Sequence, residues 1–208
     1  MESPFTPDHF GRYDDTPDEL FYRPPRLVKH IDDAACAALA DFYRTILPPG
    51  GAVLDLMSSW VSHYPDNVAF DRVIAHGMNA TELAANERAT GGLVANLNSQ
   101  PLLPFRDAVF DACTIAVSVQ YLTQPMKVFA EVGRVLRPGA PFCIAWSNRC
   151  FPTKAVAIWQ ALREEQKASL INMYFEPCGL FDARTVHDIS PNPGQSDPLY
   201  VIVGNRQS

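Results

Sequence analysis

Ala52-Val53-Leu54-Asp55-Leu56-Met57-Ser58-Ser59-Trp60-Val61 is the stretch that decides how this chain reads. Ala52 to Leu56 is a short apolar run broken only by Asp55, as expected of a strand covered on both faces. A strand of this kind should pass through a tight turn into a helix. In open α/β sheets, ligands bind in the crevice beyond the carboxyl ends of such strands. Asp55 therefore stands at the head of the expected crevice, and Met57 to Val61 occupy a turn that glycines commonly make.

Upstream, Pro48-Pro49-Gly50-Gly51 stops a helix capped by Asp32 or Asp33, with Ala35, Leu39, Phe42, Tyr43 and Ile46 on its apolar face. Residues 1 to about 30 are rich in Pro, Asp and aromatics and show no clear period. Downstream, Val73-Ile74-Ala75 reads as the second strand, and Asn79 caps a helix to about Arg88 that ends at Gly91-Gly92. Leu93-Val94-Ala95 reads as the third strand. Phe110 to Val119 is a continuous apolar fourth strand. Pro125 opens the next helix, with Met126, Phe129, Val132, Val135 and Leu136 on its face, and Pro138-Gly139 leads into strand five at Phe142 to Trp146. A helix from about Thr153 to Phe175 follows, and the last strands fall near Phe181 to Val186 and Tyr200 to Val203. Strands alternate with helices without a repeat, so the expected fold is α/β, a doubly wound and mostly parallel sheet with helices on both faces.

The chain has 208 residues, 47% of them hydrophobic, enough for one compact domain with a substantial core. Its formal net charge of −6 argues against a phosphate-tracking surface, so no nucleic-acid partner is expected. The five cysteines form no CxxC pair, which indicates neither a disulfide framework nor a metal site. Met1 to Asp8 has no basic flank or apolar core, so no signal peptide is read there. No apolar run approaches the ~20 residues of a membrane span. A cytoplasmic protein with no membrane partner is the expectation.

Two further segments narrow the class. Leu103-Pro104-Phe105-Arg106-Asp107-Ala108-Val109-Phe110-Asp111-Ala112 precedes the fourth strand, and Phe129-Ala130-Glu131-Val132-Gly133-Arg134-Val135-Leu136-Arg137-Pro138-Gly139 precedes the fifth. Together with Val53 to Leu56, they make residues of about 50 to 150 resemble the class I S-adenosylmethionine-dependent methyltransferases of the small-molecule type. The resemblance implies a Rossmann-like, seven-stranded sheet whose last strand, here Tyr200 to Val203, is antiparallel. It also implies S-adenosyl-L-methionine as cofactor, a small molecule as methyl acceptor, and a single methyltransferase-like domain with residues 1–32 as a lid and 33–208 as the core.

The cofactor residues carry over by position. Where the family reads D-x-G-x-G-x-G, this chain has Asp55, Met57, Ser59 and Val61. Ser58 and Ser59 are then expected to turn hydroxyls toward the methionine end of the cofactor, with Met57 packed away. Gly77 stands where an acidic residue usually holds the ribose, followed by Met78. Asn96-Leu97-Asn98 falls where adenine is contacted, and an Asn amide can supply that contact. Ser118, beyond strand four, completes the set of Asp55, Ser58, Ser59, Met78, Asn96, Leu97, Asn98 and Ser118.

Candidates for the chemistry are His30, Tyr22 and Gln120. His30 can act as a general base because imidazole titrates near neutrality. Tyr22 shares its segment, and Gln120 or the neighbouring Tyr121 can face the transferable methyl. The loop Ser147 to Lys154 is placed to select a substrate or to cap the next helix at Thr153, and Cys150 beside Arg149 is either an activated or an inert thiol. Two rival functions remain open at this point. A non-catalytic ligand sensor or assembly partner would account for the missing glycines. A nicotinamide-dependent oxidoreductase would need a Gly-rich phosphate turn that Met57 to Val61 does not provide.

Overall fold

The computed structural model describes residues 4–208; residues 1–3, part of the segment read for a signal peptide, lie outside the described residues. The apolar runs become β1 (Ala52–Leu56), β2 (Arg72–Gly77), β3 (Gly91–Val94), β4 (Ala112–Ala116), β5 (Pro141–Trp146), β6 (Thr185–Asp188) and β7 (Tyr200–Asn205). They form a seven-stranded sheet in the order β3-β2-β1-β4-β5-β7-β6. Pairings from β3 through β5 are parallel, and β7 runs antiparallel to both β5 and β6. The order reverses between β1 and β4, which opens a crevice at their carboxyl ends.

Helices cover both faces, which is why β1 is buried at every position. Val53 faces α2 (Asp33–Ile46), where Ala35, Leu39 and Tyr43 pack with it in one core. Leu54 and Leu56 face the opposite core, built with α4 (Pro125–Val135) and α6 (Glu164–Phe175). Asp32 caps α2 by accepting from the Ala35 N–H at 2.8 Å, and Pro125 occupies the first turn of α4.

Several expected boundaries move, each for a local reason. No helix follows β1: residues 57–71 form an irregular connector in which Ser58 bonds back to Asp55 while Ser59 and Trp60 bond to Glu82 and Val28, far away in sequence. α3 is short (Ala80–Ala84), because the Asn86 carbonyl accepts from the Arg88 N–H and its amide bonds Ser59 O and Ser62 Oγ. β3 includes Gly91 and Gly92, expected as a helix stop, and ends at Val94. β4 ends at Ala116, not Val119, because Val117 takes a φ of +44°. The expected single helix from Thr153 to Phe175 is two, α5 (Ala157–Ala161) and α6, separated by extended Leu162 and Arg163. Gln166 accepts from the Arg163 N–H at 3.0 Å and so starts α6 afresh; Thr153 caps neither helix. β6 begins at Thr185, since Asp182 is held by the Asn205 N–H and Phe181 only bridges Arg206.

The N-terminal segment has a short helix, α1 (Asp18–Phe21), and a 3-10 turn at Pro7–Phe10. It is tied down by Lys154, whose side chain is fully buried. The Lys154 ammonium donates to the carbonyls of Asp14 and Thr16 at 3.1 and 2.7 Å and lies 3.4 Å from the Asp14 and Asp18 carboxylates. Arg12 pairs with Asp18 at 2.6 Å from the other side. Among the described residues, no helix is long and apolar enough to cross a membrane.

Candidate active site

The carboxyl ends of β1, β2 and β4 open into a crevice of about 410 Å³, within the range of small-molecule sites. One wall is the N-terminal segment, including Tyr22, Arg26, Lys29 and His30; another is the loop Asn148 to Phe151 after β5.

Asp55 sits at the floor, 1% exposed. Its carboxylate accepts from Ser58 Oγ at 2.6 Å and Thr114 Oγ1 at 3.0 Å, and Tyr64 OH joins Thr114 at 2.7 Å. Burial disfavours the charged form and raises the Asp55 pKa to about 6, against the lowering effect of those hydroxyls. The Ser58 and Ser59 hydroxyls, expected to face a ligand, are spent within the protein: Ser59 Oγ donates to Glu82 Oε2 at 2.7 Å. Met57, expected to pack away, lines the crevice as well as touching the core, and adopts a φ of +56° where the family has glycine. An L-residue pays about 1–2 kcal/mol for that conformation.

The turn crosses the end of β2. Ser58 N–H donates to the His76 carbonyl at 2.6 Å, and Met57 N–H to His76 Nδ1 at 3.2 Å, which leaves the His76 proton on Nε2. Burial lowers the His76 pKa to about 4 and keeps the ring neutral. Gly77 is required by this crossing, since a Cβ there would lie 2.5 Å from the Ser58 carbonyl oxygen. We expect Gly77→Ala to destabilise the fold by about 1–3 kcal/mol through overpacking. A thermal melt identical to wild type would contradict that close approach.

Glu82 supplies the carboxylate that position 77 lacks. It lies in the crevice wall on α3 and accepts from the Arg26 N–H at 2.6 Å as well as from Ser59. Sequence reasoning missed it because Asn79 three residues earlier makes Glu82 look like part of a helix cap. Asn79 does cap α3, accepting from the Thr81 and Glu82 N–H groups, but the Glu82 side chain reaches elsewhere.

Met78, Asn96, Leu97, Asn98 and Ser118 all line the crevice. The two amides are already engaged. Asn96 donates to Glu19 at 2.8 Å and accepts from the Asn98 N–H, while Asn98 bonds Asp18, the Tyr121 carbonyl and the Thr123 N–H. Asn98 thus has both amide hydrogens committed, whereas Asn96 keeps one amide hydrogen and one oxygen lone pair for a ligand. Ser118 differs: its Oγ is buried, has no partner among the described residues, and belongs to the crevice wall.

Of the three residues expected to do chemistry, His30 and Tyr22 line the crevice and Gln120 does not. Gln120 is 1% exposed and donates to the Val117 carbonyl, so the bend at Val117 turns it inward and leaves Tyr121 at the wall. The His30 ring meets Phe151 edge-on at 5.1 Å, and desolvation lowers its pKa. Burial raises the Tyr22 hydroxyl, so that phenol stays protonated. The Cys150 thiol is also raised by burial, which makes it the inert form. Lys154, read as part of a substrate loop, is the anchor of the N-terminal segment instead.

Residues 60–144 match a family model described as Methyltransferase domain. That match spans less than half of the chain, while the sheet order is that of the class I S-adenosylmethionine-dependent methyltransferase fold, a class whose cofactor is S-adenosylmethionine. A stretch of 50 residues is 36% identical to the biotin biosynthesis bifunctional protein BioHC of Teredinibacter turnerae, spanning 24% of this chain and only 9% of that protein. The [4+2]-cyclase SpnF superposes with a TM-score of 0.63 at 12% identity, over 88% of this chain and 89% of its own. Phosphoethanolamine N-methyltransferase 2 of Haemonchus contortus, solved with S-adenosyl-L-methionine, gives 0.56 at 12% identity over 82% of this chain and 52% of that one. At such identities the structural likenesses show the fold alone.

The residues present suit this cofactor. The Asp55 and Glu82 carboxylates offer negative charge to a cationic ligand, and the unpartnered Ser118 hydroxyl offers a hydrogen bond. Met78 and Leu97 provide apolar surface beside them. No phosphate cradle is needed, because the cofactor has no phosphate.

Proposed function

We propose that this protein transfers a methyl group from S-adenosylmethionine to a small-molecule acceptor in the crevice at the β1/β4 switch point. The observation that carries the reading is the wall of Asp55, Glu82 and unpartnered Ser118 in a crevice of about 410 Å³. When bound there, the cofactor supplies a methyl on a cationic sulfonium, and the protein's task is to orient it, match its charge and exclude water. Asp55 and Glu82 face its positive charge, Ser118 holds it by a hydrogen bond, and Met78 and Leu97 flank it. Asn96, Asn98, Ser58 and Ser59 line the wall, held in place by their bonds to Glu19, Asp18, Asp55 and Glu82.

The chain works in this reading as one domain, with residues 1–32 as a lid over the core at 33–208. Latching by Lys154 and the bond from Trp60 Nε1 to the Val28 carbonyl support that role for the segment. The narrow, partly covered crevice supports a small acceptor over a macromolecule.

Incubation of the protein with methyl-tritiated S-adenosylmethionine and fractionated cell extract tests the proposal. Label should accumulate in the small-molecule fraction and not in protein or nucleic acid. Label confined to protein or nucleic acid would overturn the acceptor class. Ser118→Ala should weaken cofactor binding by up to about tenfold, the size of one neutral hydrogen bond; unchanged affinity would remove Ser118 from the site.

A further inference from the structure

Between Ser58 and Tyr64, the connector that replaces the helix after β1 fastens every polar side chain but one. Ser58 bonds Asp55, Ser59 bonds Glu82, Trp60 bonds the Val28 carbonyl, Ser62 accepts from Asn86 at 2.9 Å, and Tyr64 bonds Thr114. His63 stands among them with a side chain that makes no hydrogen bond and lines the crevice. Its backbone has a φ of +55°, a conformation His adopts more readily than most non-glycine residues. A tightly tethered loop thus presents a single unpartnered imidazole to the ligand space.

The groups acting on His63 electrostatically are Lys29 and His30 of the N-terminal segment, and Lys29 is itself paired with Asp33 at 2.7 Å. Arg26 approaches from the same segment, its guanidinium over the Phe21 and Phe151 rings at 4.6 and 5.5 Å. Among the described residues, the Arg26 guanidinium has no carboxylate partner and bonds only the Phe21 and Pro24 carbonyls. Around this region the crevice wall is aromatic, with Tyr22, Trp60, Tyr121 and Phe151. Flat aromatic walls suit an aromatic ligand, and an unpartnered imidazole in the same crevice suits one that carries a hydroxyl.

Resting on the methyl-transfer reading, we propose that His63 is the catalytic base of the crevice and that the acceptor is a phenol-like aromatic hydroxyl. The acceptor oxygen forms the new C–O bond with its lone pair as the methyl's C–S bond breaks. The electron pair of the broken bond stays on sulfur, and the phenolic proton passes to the imidazole nitrogen of His63, which releases it to solvent after product leaves. Burial keeps that imidazole neutral, with its pKa lowered to about 4. A base this weak suffices because an oxygen gaining a third bond becomes far more acidic than an imidazolium.

The test is imidazole nitrogen NMR of the full chain with saturating S-adenosylhomocysteine, using phenol and its methyl ether anisole as probes. The His63 signal is identified by its absence from His63→Asn and His63→Gly, both of which tolerate a positive φ. Phenol should shift the His63 signal and anisole should not. Both variants should keep S-adenosylhomocysteine affinity within about twofold and lose about tenfold in phenol affinity. Equal shifts with the two probes, no shift with either, or loss of S-adenosylhomocysteine binding in the variants would overturn the role of His63. Absence of S-adenosylhomocysteine binding in the wild type would instead overturn the methyl-transfer reading, and this proposal with it.

Discussion

Lys154→Ala will destabilise the protein by about 3–5 kcal/mol, the range seen when one partner of a buried charge pair is removed. The ammonium is fully buried, and its loss strands the Asp14 and Thr16 carbonyls and removes a cation from beside Asp18, itself 3% exposed. Asp18 keeps Arg12 and Asn98, so the fold should survive while the segment around α1 loosens. Urea unfolding should give the loss in stability, and amide exchange should accelerate in residues 11–22. A change below about 1 kcal/mol with unaltered exchange would show that Lys154 does not latch the segment.

The second large effect concerns Asp55 and pH. Its pKa is about 6 in the folded protein, against an ordinary value of 3.8. Between those values the folded state holds a proton that the unfolded state has released. The stability from the neutral carboxyl is complete below about pH 4 and is lost as pH rises through 6. The shift corresponds to about 3 kcal/mol. His63 and His76, both lowered to about 4 by burial, act in the opposite direction. Comparison with Asp55→Asn isolates Asp55, because both proteins keep the histidines. The variant should gain about 3 kcal/mol relative to wild type between pH 4 and 7. Parallel stability curves would contradict a desolvated Asp55. At neutral pH wild type carries a buried negative charge that a cationic ligand would relieve, a cost in stability placed where binding uses it.

The positions of β1, β2, β4, β5 and β7 were legible because each is largely an apolar run, a pattern that covered sheet faces require, whereas the edge strand β6, Thr185–Asp188, is mostly exposed and carries no such run. The segments at 103–112 and 129–139, which lead into β4 and β5, located those strands through the resemblance they carry. The connector at 57–71 was not legible. Its conformation is set by partners that sequence proximity does not reveal: Val28, Glu82, Asn86 and Thr114. The same blindness made Ser58 and Ser59 look free and the Asn98 amide available. Their partners are carboxylates and carbonyls that only folding brings within 3 Å. Glu82 was hidden by a pattern that had a sufficient local explanation. His63 was given no role from the sequence, because its isolation from hydrogen-bond partners is a property of the folded loop.

Calorimetric titration of the full chain with S-adenosylhomocysteine tests the central claim most directly, since it needs no knowledge of the acceptor. One saturable site with a dissociation constant below about 1 mM is the expected result, and it should weaken in Ser118→Ala. No heat at several times that concentration, with a nicotinamide dinucleotide binding in its place, would contradict the assignment of the crevice as a methyl-donor site.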